Sequence, residues 1–110
     1  MTEMKLFSPG RIGRLETKNR IVMAPMVRNY AESTGLVNSR YRAHWSRIAE
    51  GGVGTMILEA SFVSPEGRGF SQQIGIDRDD TIDGLRDLAL IAHHHKALAG
   101  VQLYHAGRQT

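Results

Sequence analysis

The sequence predicts an α/β fold built on a parallel sheet, and three observations carry that expectation. Apolar runs without polar alternation recur at 21–24, 55–60 and 98–104, as in parallel strands buried on both faces. Between them lie two stretches with apolar residues at helical spacing. The resulting order of strand, helix, strand, helix, strand joins parallel neighbours through right-handed crossovers.

The elements follow in turn. Residues 5–18 carry Ser8-Pro9-Gly10 and Ile12-Gly13 among alternating polar residues, which predicts a short hairpin with turns at Pro9-Gly10 and Gly13. The first parallel strand is the run 21–24, stopped by Pro25. Asn38 or Ser39 caps the first helix, whose apolar face is Tyr41, Trp45, Ile48 and Ala49 and whose end is Gly51-Gly52. The second strand is 55–60. Asp80 or Thr81 caps the second helix, with Ile82, Leu85, Leu88, Ala89 and Ala92 toward the core. The third strand is 98–104.

Composition narrows the class. With 41% hydrophobic and 23% charged residues, the chain is ordinary globular material. No apolar run approaches the ~20 residues of a membrane span, and Met1-Thr2-Glu3-Met4-Lys5 lacks the apolar core of a secretory signal; the default expectation is cytoplasmic. The absence of cysteine removes disulfides, thiolate metal sites and any cysteinyl–flavin bond made from these residues. A net charge of +3 with dispersed basic residues does not form the basic, aromatic-interleaved stripe of a nucleic-acid surface. It suits a small anionic ligand.

Three parallel strands with two crossover helices leave sheet edges open, whereas a closed (β/α)8 barrel takes roughly 250 residues. Residues 1–110 are therefore expected to be the N-terminal portion of one larger domain. The remainder would come from further sequence or another chain, and an oligomer is the expected assembly.

A doubly wound sheet and a barrel both satisfy these patterns. The strand ends discriminate. Lys18-Asn19-Arg20-Ile21-Val22-Met23-Ala24-Pro25-Met26, Ile57-Leu58-Glu59-Ala60-Ser61 and Val101-Gln102-Leu103-Tyr104-His105-Ala106-Gly107-Arg108 resemble, in order and spacing, the first three strand ends of the Old Yellow Enzyme family. Phe7 and residues 12–15 resemble its barrel-floor hairpin. The resemblance implies an FMN-binding TIM barrel in which NAD(P)H reduces the flavin and the flavin reduces an activated alkene. It places Pro25 and Met26 against the flavin ring, Ala60 beside it and Gln102 on its pyrimidine edge.

Residue chemistry agrees with those placements. The pyrimidine edge alternates acceptors with an N–H donor, and a primary amide offers both partners. An unpartnered buried amide costs about 1–3 kcal/mol, so Gln102 on an apolar strand calls for a ligand or a backbone partner. Pro25 fixes the backbone without an N–H to satisfy, although it would end a strand in any protein. Val27 stands where some relatives carry a cysteine, so the implied FMN is non-covalent. Ala60, where amine-oxidising relatives carry an aromatic, points to alkene reduction.

Other polar residues are weighed beside these. His93-His94-His95 end a helix and point ~100° apart in succession, so they read as a solvated face rather than a metal site. Tyr30, His105 and Arg108 are candidates for the substrate pocket; the structural alternatives are packing for His105 and an ion pair for Arg108. Glu59 reads as a structural hydrogen-bonding group ahead of a general base. Gly51-Gly52-Val53-Gly54 precedes a strand, so it is a helix stop and not a phosphate loop. In the resembled family the proton donor and substrate clamp come from later strands, which leaves the catalytic residues of this chain unknown. The Glu50–Gly54 and Gln102–His105 segments look nearer to the dienoyl-CoA and enoate reductases, whose long members add a 4Fe-4S cluster and a second, FAD-type flavin domain. The alternative from another class is a non-catalytic barrel segment that completes a partner's fold.

Overall fold

A computed structural model describes residues 4–109. The chain opens with a 3-10 turn and an antiparallel hairpin, β1 (Gly10–Ile12) and β2 (Leu15–Thr17), joined by the two-residue turn Gly13-Arg14. The Thr17 hydroxyl, buried in the hairpin, accepts from Gly10 N at 3.0 Å. Three parallel strands follow in spatial order: β3 (Val22–Met23), β4 (Thr55–Phe62) and β5 (Leu98–Tyr104). The crossovers are α1 (Ser39–Glu50) and α2 (Ile82–His94).

The first strand is shorter than the expected 21–24 and the second runs past 60 to Phe62. β3 leaves the ladder early because the loop after it turns to other partners. Asn29 adopts φ 61° and its side chain accepts from Gln72 N at 2.7 Å, while Ala31 N donates to Gln72 O. At the other end of β3, Asn19 Nδ2 donates to Gly52 O at 2.7 Å. A Cβ on Gly54 would lie 2.4 Å from Asn19 Oδ1, so this approach needs glycine there.

Asn38 caps α1 as its sequence position predicts, its side chain accepting from Tyr41 N at 2.9 Å. The expected cap of α2 takes another form. Residues Asp79–Thr81 make a 3-10 turn, and the Thr81 hydroxyl donates back to Arg78 O at 2.7 Å instead of accepting from the helix. That bond satisfies a buried hydroxyl locally, which competes with capping.

The core fills the space between the helices and one face of the sheet. Tyr41, Trp45 and Ala49 of α1 meet Leu88 and Ala92 of α2 over Met56 and Leu58 of β4. Trp45 Nε1 donates to Leu88 O at 2.8 Å, which gives a fully buried indole its partner and locks the helices together. Ile82 departs from its expected core role and is 47% exposed, on an open groove that it lines with Ile76 and Leu85.

The outer strand β5 is largely uncovered. Val101 is 38% exposed and Leu103 65%. The radius of gyration is 15.0 Å, against about 13 Å for a closed domain of this length. The strands are thus a segment of an open α/β layer whose surface is not yet closed.

Candidate functional site

The carboxyl ends of β3, β4 and β5 lie side by side, since the three strands are parallel neighbours. Their register contains an irregularity. Leu58 pairs with Val101 and Ser61 with Leu103, so Glu59 and Ala60 together stand opposite Gln102. Two residues against one is a β-bulge, a device that re-aims side chains and breaks strict alternation. Alternation on β5 puts Gln102 on the same face as Gly100, whose partner Ile57 lies between the core residues Met56 and Leu58. Gln102 therefore belongs to the face turned away from the helices.

Pro25 is half-buried just past β3, and Met26 is 55% exposed. Ala60 is buried on the bulge. Gln102 is exposed, with no hydrogen bond to its amide among the described residues. Sequence reasoning expected it to be buried; the open sheet leaves its face uncovered. Val27 is half-buried.

The lesser candidates separate. Tyr30 packs on α1, with the Arg40 guanidinium 3.9 Å above its ring and His44 at its edge, and its carbonyl accepts from Asn38 Nδ2. His105 packs against the loop after β4: a Cβ on Gly67 would come within 2.5 Å of its ring, and Ala106 N donates to Gly67 O. Its Nδ1 accepts from Gly107 N at 2.9 Å. Arg108 is exposed in the final 3-10 turn and makes no ion pair among the described residues. His93 and His94 are exposed at the end of α2, with His95 as its C-cap.

Two residues organise these strand ends. Gln73 is fully buried; its Nε2 donates to Ala60 O at 2.8 Å and its Oε1 accepts from Gly69 N at 2.9 Å. It replaces the ladder partner that the bulge takes from Ala60. No periodicity marks Gln73, which sits in the polar loop stretch Ser71-Gln72-Gln73, so no local pattern points to it. Glu59 is 1% exposed, and its Oε1 accepts from the Tyr41 hydroxyl at 2.7 Å and from Arg28 N at 3.2 Å. These are the structural bonds expected of it.

The electrostatics follow from this burial. Burial pushes the Glu59 carboxyl above its usual range, partly offset by the Tyr41 hydroxyl, the Arg28 N–H and the Arg28 charge. Burial likewise raises the Tyr41 phenol, and the neighbouring Glu59 raises it further. Tyr41 is thereby held as a neutral donor. His44 is lowered, by burial first and by Arg28 second, which favours the neutral imidazole.

The profile of the NADH:flavin oxidoreductase / NADH oxidase family matches residues 5–110. The chain belongs to that family. It is 42% identical over 109 residues to an NADPH dehydrogenase of Geobacillus sp. (strain WCH70), covering 98% of this chain and 32% of that protein. It is 43% identical over 106 residues to an NADH oxidase of Thermoanaerobacter brockii, covering 96% of this chain and 16% of the relative. The structure superposes on Old Yellow Enzyme from Pichia sp. AKU4542 with a TM-score of 0.89 at 26% identity, over 96% of this chain and 28% of that one.

Membership of this flavin oxidoreductase family explains the open sheet. The chain spans a third or less of each of these relatives, and its strands, helices and hairpin form part of an Old Yellow Enzyme barrel, with the barrel itself not closed. Among the described residues, no helix is long and apolar enough to cross a membrane, and no cluster of His, Asp and Glu has the arrangement of a metal site.

Proposed function

We propose that this chain supplies one side of an FMN site in an ene-reductase-type oxidoreductase, the rest of the barrel coming from residues outside it or from a partner chain. The observation that carries the reading is Gln102: a free primary amide at a strand end, on the face away from the helices, opposite the bulge that holds Ala60. An amide with both functions unengaged suits the alternating edge of a flavin pyrimidine. When bound, FMN supplies the hydride chemistry, taking a hydride from NAD(P)H and delivering it to an activated C=C bond such as that of an enone, enoate or dienoyl-CoA.

The residues of this chain hold and orient. Gln102 binds the pyrimidine edge, while Pro25 and Met26 offer apolar contact to the ring from the neighbouring strand end. Ala60 contributes small size, its carbonyl being occupied by Gln73. With no cysteine in the sequence, attachment through these residues is non-covalent. Tyr30 faces the site less directly, being stacked on α1; His105 and Arg108 border it from the end of β5.

The exposed β5 edge and the apolar groove between α2 and the sheet, lined by Trp45, Leu58, Leu88 and Val101, favour a neighbouring strand and helix as the partner. The same edge favours the second reading, in which the segment only completes a partner's fold. Visible spectroscopy with intact mass separates the two. Oxidised-flavin absorbance near ~450 nm in the assembled protein, lost or weakened by Gln102→Leu, supports the flavin site. Unchanged FMN affinity in that variant overturns the role of Gln102, and a colourless assembled protein overturns the flavin reading.

A further inference from the structure

Glu59 ties three elements together at the strand ends. It sits on β4 beside Ala60, reaches Tyr41 on α1, and accepts from the backbone N–H of Arg28, two residues beyond Met26. We propose that Glu59 is a positioning residue of the flavin site: its Oε1 fixes the loop that carries Pro25 and Met26 against the strand end that carries Ala60. The proposal rests on the FMN reading above.

Three observations support it. First, the bulge gives consecutive residues separate tasks. Ala60 hands its carbonyl to Gln73 while Glu59 turns its carboxylate to Tyr41 and Arg28 N. Second, the carboxylate is an expensive choice for fold stability alone. A buried ionisable group pays a desolvation cost that an apolar residue of similar size would avoid, and the neighbouring Met56 and Leu58 show that the strand accommodates apolar side chains. Third, its bonding is incomplete. Glu59 Oε2 is buried without a partner, and Glu59 borders a cavity of about 260 Å³ shared with Met23, Met26, Arg28, Tyr41 and His44. A group kept for stability alone would be fully satisfied. The oxygen that is satisfied is the one gripping the loop.

The test uses the complete, flavin-loaded protein. The FMN dissociation constant of the apoprotein and the visible circular dichroism of bound flavin are measured for wild type, Glu59→Ala, Glu59→Gln and a core control, Ile91→Val on α2. Glu59→Ala strands both donors and is expected to weaken FMN roughly tenfold and change the dichroism of the bound ring. Glu59→Gln keeps an oxygen that accepts from both donors, so it should restore binding to within about twofold and recover the wild-type band. Ile91→Val should lower thermal stability and leave both flavin readouts alone.

Wild-type affinity and dichroism in Glu59→Ala overturn the positioning role and leave the FMN reading standing. Equal losses in the Ala and Gln variants overturn it too, since charge and not the accepting oxygen would then matter. So does an Ile91→Val variant whose FMN affinity falls in step with its melting temperature, as in Glu59→Ala. A wild type that holds no FMN overturns the reading on which the proposal rests.

Discussion

Strands β4 and β5 pair along most of their length, and both are apolar runs interrupted by a single long polar residue, Glu59 or Gln102. Every residue of β4 except half-buried Ile57 is buried, whereas no residue of β5 is. β4 has a strand on each side and two helices over one face; β5 has a neighbour on one side only. Apolar content therefore states what a strand is prepared to bury, and its neighbours decide how much it does bury. The polar residues follow the same rule. Glu59 has donors within the chain, while the exposed Gln102 amide has no hydrogen bond among the described residues.

Removing the core beneath β4 has the largest expected effect. Trp45→Ala deletes a fully buried ring together with its hydrogen bond to Leu88 O, and should cost about 3–5 kcal/mol of unfolding free energy in denaturant titrations of the complete protein. A loss below 1 kcal/mol, on the order of a surface change, would break the contrast between the two strands. Gln73→Leu comes next. It strands the Ala60 carbonyl and the Gly69 N–H, at about 1–3 kcal/mol for an unsatisfied buried group. Faster hydrogen exchange at the end of β4 should accompany it.

Leu103→Ser sharpens the comparison from the other side. With Leu103 65% exposed, the change should stay within about 0.5 kcal/mol in the segment alone. In a complete barrel, where a further strand covers β5, it should cost about 1.5–3 kcal/mol. Equal effects in the two settings would mean that nothing packs on this edge. The smallest effect is a slope. Because burial raises the folded-state pKa of Glu59, the folded protein holds that proton more tightly than the unfolded chain. The contribution is most favourable below the ordinary value of 4.5, declines as pH rises through the raised folded value, and is constant above it. Glu59→Gln should remove this decline, so its stability relative to wild type grows with pH across that window. Parallel curves would show an unshifted carboxyl.

The sequence made the helical half of this fold legible. Asn38 stands where a cap is needed, and Tyr41, Trp45 and Ala49 recur at the spacing that buries one face. The family was legible at the strand ends, because a proline, a small residue and an amide recur there in order. What escaped was non-local. The pattern predicts Asp80 or Thr81 as a helix cap, and the Thr81 hydroxyl instead closes its own 3-10 turn on Arg78. Gln73 acquires its role only when the loop folds back on Ala60, and nothing nearby in sequence signals that. The polar Glu59 in an apolar strand was visible as an anomaly, but the bulge that answers it depends on the register with β5.

That bulge also shifts the phase of β4. Up to Leu58, odd-numbered residues share the face of Ile57; after it, Phe62 pairs with Tyr104 and by alternation joins that face, while Ser61 pairs with Leu103 on the other. A mutational scan that sorts inside from outside by counting in twos from Thr55 would misfile Ser61 and Phe62. Aligning a distant relative that lacks the extra residue requires a one-residue gap between Leu58 and Ser61, and the strand end aligns correctly only when the gap is placed there.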